Sequence, residues 1–287
     1  MKKKLFASLL ALSLILTACG GKGGNQSGSG EDTSAQTSDA TSAANADDDK
    51  VIKFGVSPVP HQELAEAVKD DLKKEGYDLQ IIPFDDYVLP NKALASGDLD
   101  ANFFQHDPYL KQFCQENKLD LVNVGAVHIE PLGIYSDKFK SLEELPNGAR
   151  VIIPNDVTNG ARALLLLEKN GLIKLDDPTN LNVTEVNVVE NPKNLQFIPM
   201  EAPSIPSQYK SADAAAINSN WALGAGLNPV KDNIAIEGKD SPYANIIAVR
   251  NGDQDKPKIK ALVKAFQSET IKKFIEEKYN GAVIPAF

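Results

Sequence analysis

Between Val51 and Phe287 the chain alternates short extended segments with helix-length segments, most of them stopped by Pro or Gly. That order restricts it to an α/β fold, with parallel or mixed sheets covered by helices. Val51 to Val56 alternates apolar and polar residues and stops at Ser57-Pro58, the pattern of a strand. Leu64, Val68 and Leu72 recur at helical spacing with Gly76 as the stop, and Leu79 to Ile82 reads as a strand ended by Pro83. Asn91 to Leu99 and Pro108 to Asn117 read as helices, and Leu119 to Val127 and Gly133 to Tyr135 as extended chain.

A second unit is expected from near Lys140. Ser141 with Glu144 forms a capping-box pattern, and Arg150 to Ile153 is a strand stopped by Pro154. Ala161 to Asn170 reads as a buried helix closed by Gly171, while Val183 to Val189, Leu195 to Ile198, Ala212 to Ile217 and Ile246 to Val249 read as strands. A final helical stripe, Ile259, Leu262, Val263 and Phe266, continues to Phe274 and Ile275. The expected division is lobe 1 from residues 50–135 and 246–287 and lobe 2 from residues 136–245. Two such sheets leave a cleft between them, and open α/β sheets bind ligands at the carboxyl ends of their strands.

Three polar clusters fall where that cleft is expected. Asn155 to Arg162 enters a helix, where free backbone N–H groups favour an anion and Arg162 could add a planar fork for a carboxylate. A helix cap with a surface arginine is the alternative. Tyr87, Phe103, Phe104 and His106 could form an aromatic wall suited to a thioether, or simply core. Asn218 and Asn245 offer amides that can hold an ammonium and a carboxylate together, or can serve as strand-end turn residues. His61, His106 and His128 with Glu130 are possible nitrogen and oxygen donors to a metal, but no two are closely spaced, and no metal or cofactor is expected. Nucleophile elbow, phosphate loop and zinc-protease motifs are all missing, so no catalytic residue is assigned and the protein is not expected to be an enzyme.

The N-terminus adds a location. Lys2 to Lys4 precede the apolar run Leu5 to Leu16, too short for the ~20 residues that span a bilayer. Leu16-Thr17-Ala18-Cys19 then resembles a lipobox, which implies a signal peptide over residues 1–18 and a lipid on Cys19. Residues 19–49 hold no large apolar side chain and read as a lipidated flexible tether with a root-mean-square span of roughly 30 Å. The net charge of −9, more negative still once the three lysines are removed, argues against nucleic acid as a partner. With Cys19 acylated, Cys114 has no disulfide partner and is expected as a buried small hydrophobe.

From about Val51 to Phe287 the chain resembles the NlpA-type lipoproteins, the methionine-binding components of ABC importers. The resemblance is carried by Tyr87-Val88-Leu89-Pro90-Asn91, Ala101 to His106, Pro154-Asn155-Asp156 with Thr158-Asn159 and Arg162, Glu190 to Asn194, and Ser241 to Asn245. It implies a two-lobed periplasmic-binding-protein-like fold with the ligand in the interlobe cleft. Tyr87 and Phe104 would be the aromatic wall, His106 and Arg162 polar contacts, and Asn218 and Asn245 the amide pair, with Asn220 competing with Asn218. L-methionine is the favoured ligand, with D-methionine or a methionine dipeptide open and Glu130 a place where specificity could change. The resemblance further implies a monomer on the extracytoplasmic side of the cell membrane, delivering its ligand to a permease and its ATPase subunit. A metal-importer lipoprotein and a surface hydrolase are the rival readings.

Overall fold

Residues 50–287 are described by the structure, a computed structural model; the signal, the tether and Cys19 lie outside the described residues. The first stretch runs β1 (Val51–Val56), a helical turn (Pro58–Gln62), α1 (Glu63–Lys74), β2 (Asp78–Pro83), α2 (Leu89–Ser96), β3 (Ala101–His106), α3 (Asp107–Asn117), β4 (Leu121–Ile129) and β5 (Gly133–Tyr135). The middle comprises β6 (Arg150–Pro154), α4 (Val157–Lys169), β7 (Lys174–Leu175), β8 (Val188–Glu190), β9 (Gln196–Met200), α5 (Ile205–Gln208), β10 (Ala214–Ile217), α6 (Ser219–Gly224) and β11 (Asn233–Ile236). The chain ends with β12 (Ala244–Arg250), α7 (Pro257–Phe266), α8 (Glu269–Tyr279) and β13 (Ile284–Pro285).

Two mixed sheets result. One has the order β13-β4-β12-β3-β1-β2, with β1 parallel to β2 and β3 and β12 antiparallel to β3 and β4. The other has the order β11-β5-β10-β6-β9, with β6 parallel to β9 and β10. Each sheet has its own core. Ile52, Phe54, Leu64, Phe103, Leu262 and Phe266 pack in the first, and Ile134, Val151, Ile153, Leu164, Leu167 and Ala214 in the second. A buried Leu or Phe contributes about 1.5–3 kcal/mol, so each lobe holds a substantial core of its own.

The lobe boundaries expected from sequence differ at β5 and at the first two residues of β12, Ala244 and Asn245, which pair in the first sheet. Gly133 to Tyr135 was assigned to the first lobe, but β5 pairs with β10 and β11 in the second sheet. A three-residue strand carries too little pattern to reveal its partner. The chain therefore passes between the sheets twice, at Glu130–Leu132 and Glu237–Tyr243.

Several elements also depart from their expected form. Ala101 to His106 is a fully buried strand next to β1 and β12; its Asn, Gln and His residues masked it, because polar side chains in a strand suggest a loop. The stripe from Ile259 to Ile275 is two helices. Ser268 breaks it by accepting a hydrogen bond from the Ile271 backbone N–H, as an N-cap does. The Ser141/Glu144 pattern starts no helix; Glu144 instead accepts from the Lys140 N–H in a bend. Val183 to Val189 is interrupted by the turn Glu185–Asn187, where Thr184 and Asn187 form a true capping box. Gly76 and Gly171 do end their helices, both at positive φ, which a residue with a Cβ adopts at a cost. Cys114 is half-buried, packed beside Leu94, Leu110 and Leu121. No described helix is long and apolar enough to cross a membrane.

Candidate functional site

Tyr87, Phe104, His106, Arg162, Asn218 and Asn245 all line one small, nearly filled cavity, together with Gln105, Tyr109, Glu130, Asn159, Ser219 and Asn220. Tyr87 to Tyr109 come from the first lobe, Asn159 to Asn220 from the second, and Glu130 and Asn245 adjoin the crossovers.

The aromatic side is built by the loop after β2 and by β3. Asp86 accepts from the backbone N–H groups of Val88 at 2.6 Å and Leu89 at 2.7 Å, which fixes the turn carrying Tyr87. The Tyr87 ring lies 5.9 Å from Phe104, 5.9 Å from Tyr109 and 5.6 Å from Trp221. Behind them, Asn91, Asn102 and Gln105 bond to one another in a buried amide network, such as Asn91 Nδ2 to Gln105 Oε1 at 2.8 Å. A fully paired buried network of this kind rigidifies the wall it supports.

His106 lines the cavity, but both its ring nitrogens are engaged by protein. It caps α3 by accepting from the Tyr109 N–H through Nδ1 at 3.1 Å, so Nε2 carries the proton and donates to Asn159 Oδ1 at 3.2 Å. Burial first, then the charge of Arg162, lowers its pKa to about 3, and the ring is neutral. Tyr109 and Asn159 were not assigned from sequence. The His106-Asp107-Pro108-Tyr109 cap was the available signal, since Pro in the first helical turn marks a start.

Arg162 sits in the second turn of α4. The free N–H groups expected at that helix start are partly taken, because the Asp156 side chain caps it through the Asn159 N–H at 2.9 Å. Arg162 is 3 % exposed and already holds a fork: Nε and Nη2 donate to the Glu237 carboxylate at 2.6 Å each, and Nη2 also to the Glu130 carbonyl at 2.6 Å. Its burial opposes the charge, but the Glu237 carboxylate outweighs it and holds the pKa above the ordinary value. Nη1 makes no hydrogen bond among the described residues, and the Tyr243 ring covers the guanidinium at 4.5 Å.

The amides are half-committed. Asn218 Nδ2 donates to Asn159 Oδ1 at 2.8 Å, leaving a buried Oδ1 with no partner. Asn220, in the first turn of α6 and not on a strand face, accepts from the Tyr87 hydroxyl at 2.7 Å, leaving a buried Nδ2 with no partner. Asn218 and Asn220 thus both face the cavity, one with an open acceptor and the other with an open donor. An unpaired buried polar atom costs about 1–3 kcal/mol, so such a set is costly unless a ligand completes it.

His61, His128 and Glu130 converge behind Asn245, each offering an atom within 4.8 Å of the others, while His106 stands apart. Both His61 Nδ1 and His128 Nδ1 lack partners, whereas a metal-bound histidine almost always donates its other nitrogen. The contacts instead suit imidazoles donating to oxygens: His128 Nε2 to Glu130 Oε1 at 2.7 Å, and His61 Nε2 to Asn245 Oδ1 at 3.1 Å with Glu130 Oε1 3.3 Å away. Burial lowers the pKa of His61 to about 4 and of His128 to about 3, and raises that of Glu130.

Known proteins share this architecture. The chain is 43% identical over 290 residues to the methionine-binding lipoprotein MetQ of Bacillus subtilis, covering 99% of this chain and 98% of that one. It is 44% identical over 236 residues to the D-methionine-binding lipoprotein MetQ of Escherichia coli K12, covering 81% and 87%. A nutrient-binding protein from Burkholderia cenocepacia, solved bound to methionine, superposes with a TM-score of 0.80 at 46% identity, over 82% of this chain and 100% of that one. The NlpA lipoprotein family model matches residues 52–287, and the chain belongs to that family.

Proposed function

We propose that this protein is a lipid-anchored receptor that encloses methionine between its lobes and passes it to an ABC importer. One observation carries the reading: a small cavity in which buried, unpaired donors and acceptors lie beside an aromatic wall. An α-amino acid needs both kinds of partner. Arg162 Nη1 and the Asn220 amide suit its carboxylate, and Asn218 Oδ1 suits its ammonium. Tyr87, Phe104 and Tyr109 suit a thioether, each such contact contributing about 0.3–1.5 kcal/mol. His106 serves by holding Asn159 in place.

The relatives named for methionine or D-methionine binding support methionine as the ligand; the L form is the one we favour. A lipid on Cys19 would keep the receptor at the membrane, facing the extracytoplasmic side. A monomer would there meet the permease, whose ATPase subunit drives transport. No covalent chemistry is assigned to any residue. Titration calorimetry on the mature chain, stripped of ligand by unfolding and refolding, tests the assignment with L-methionine, D-methionine and a methionine dipeptide. Absence of binding by all three at micromolar protein would refute it.

A further inference from the structure

Asn245 enters the cavity from β12, where its register neighbours are His106 on β3 and His128 on β4. A side-chain amide can present either its oxygen or its nitrogen to a ligand, and only its other contacts decide which. Here the contact is His61, whose Nε2 lies 3.1 Å from Asn245 Oδ1 and 3.3 Å from Glu130 Oε1. Two oxygens face one ring nitrogen. An amide oxygen has no proton to give, so the proton in the 3.1 Å bond to Asn245 Oδ1 is on His61 Nε2. Turning the amide over would remove the Nε2 proton and set its lone pair against the Glu130 oxygen.

Packing holds this arrangement in place. His61 is 1 % exposed, and its ring meets the edge of Phe103 at 4.6 Å and lies 5.0 Å from His128. His128, fully buried, donates to the same Glu130 oxygen at 2.7 Å. The orphaned Nδ1 of His128 is then an unprotonated acceptor, whereas the opposite tautomer of that ring would bury an unpaired N–H donor.

We propose that His61 is a positioning residue that fixes the Asn245 amide with its oxygen turned from the cavity, so that Asn245 offers the ligand donors only and reads its carboxylate. Glu130 and His128 are the backing that holds His61 in that tautomer. Three carboxylate partners follow, Arg162, Asn220 and Asn245, against one amide acceptor at Asn218, and the site selects strongly for a free carboxylate. This rests on the proposed binding of an amino acid and names which of its ends each amide recognises.

Nitrogen-15 NMR of the mature chain made without lipid tests the tautomer directly. A proton on His61 Nε2 at neutral pH is expected, with or without methionine. An Nδ1 proton, or loss of the Nε2 proton on adding zinc chloride, would overturn the proposal, the latter by making the cluster a metal site. Calorimetry tests the consequence. His61→Leu should weaken L-methionine binding roughly ten-fold, the equivalent of one buried partner lost, and weaken binding of L-methioninol, which lacks the carboxylate, far less. His61→Gln, which can again donate to Asn245 Oδ1, should recover most of the loss. In an Asn245→Ala background, His61→Leu should cost nothing further. Equal losses for both ligands, or undiminished loss in that background, would overturn the positioning role. If the unaltered chain binds no amino acid, the binding reading fails while the NMR result still decides the tautomer.

Discussion

At the scale of single residues, the site depends on side chains that serve two partners at once. Arg162 gives Nε and Nη2 to Glu237 and the Glu130 carbonyl, and only Nη1 stays open for the proposed ligand. Arg162→Ala should weaken methionine binding by about 2–5 kcal/mol in a calorimeter, as truncating one member of a buried charge pair does. Arg162→Lys should rescue little of it, because an ammonium cannot replace a fork that spans two oxygens. Tyr87→Phe removes the hydroxyl that joins the first lobe to Asn220 in the second, and should cost about 1–3 kcal/mol, seen chiefly as faster methionine release in stopped-flow fluorescence. The aromatic and polar side chains of the cavity were legible from sequence because they cluster along the chain around Tyr87, Phe104 and Arg162. His61 was named only as a possible metal donor; its contact with Asn245 was not legible, since 184 residues separate the two.

At the scale of elements, the approach of α4 to β6 is set by Gly160. A Cβ there would lie 2.9 Å from the Pro154 carbonyl oxygen, which is backbone and cannot swing aside. Gly160→Ala should lower stability by about 1–3 kcal/mol in urea unfolding, and should also weaken binding by displacing Asn159 and Arg162 on the same helix. Helices and strands with regular apolar spacing, such as α1 and β1, could be read from the sequence because burial on one face imposes a period. The strand β3 could not, because it is buried on both faces and half its residues are polar, Asn102 and Gln105 paired to each other and His106 to Asn159. Ser268 likewise divides α7 from α8 by a capping bond that leaves the apolar stripe uninterrupted.

For the molecule as a whole, pH should act through the buried histidines. His61, His106 and His128 have pKa values lowered to about 4, 3 and 3, chiefly by burial, against 6.5 when exposed. The unfolded chain therefore takes up protons that the folded chain refuses, and stability present above pH 6.5 is lost as pH falls toward 4 and below. Each histidine should cost about 2 kcal/mol between pH 6.5 and pH 5. Glu130, with its raised pKa, acts in the opposite sense near the acid end and returns part of the loss. Urea unfolding at a series of pH values checks the slope, and an unchanged free energy down to pH 5 would contradict the burial of these rings. Methionine at a hundred times its dissociation constant should add about 2.7 kcal/mol to the unfolding free energy.

The same guanidinium that faces the cavity also touches both passages of chain between the lobes. Arg162 donates to the Glu130 carbonyl on one passage and to Glu237 on the other, and Glu237 in turn accepts from the Leu132 N–H at 2.9 Å. These three contacts tie the two connecting segments into one knot beneath the binding site. A ligand held on Arg162, as proposed, would act directly on both connecting passages, and its release would be felt by both at one side chain.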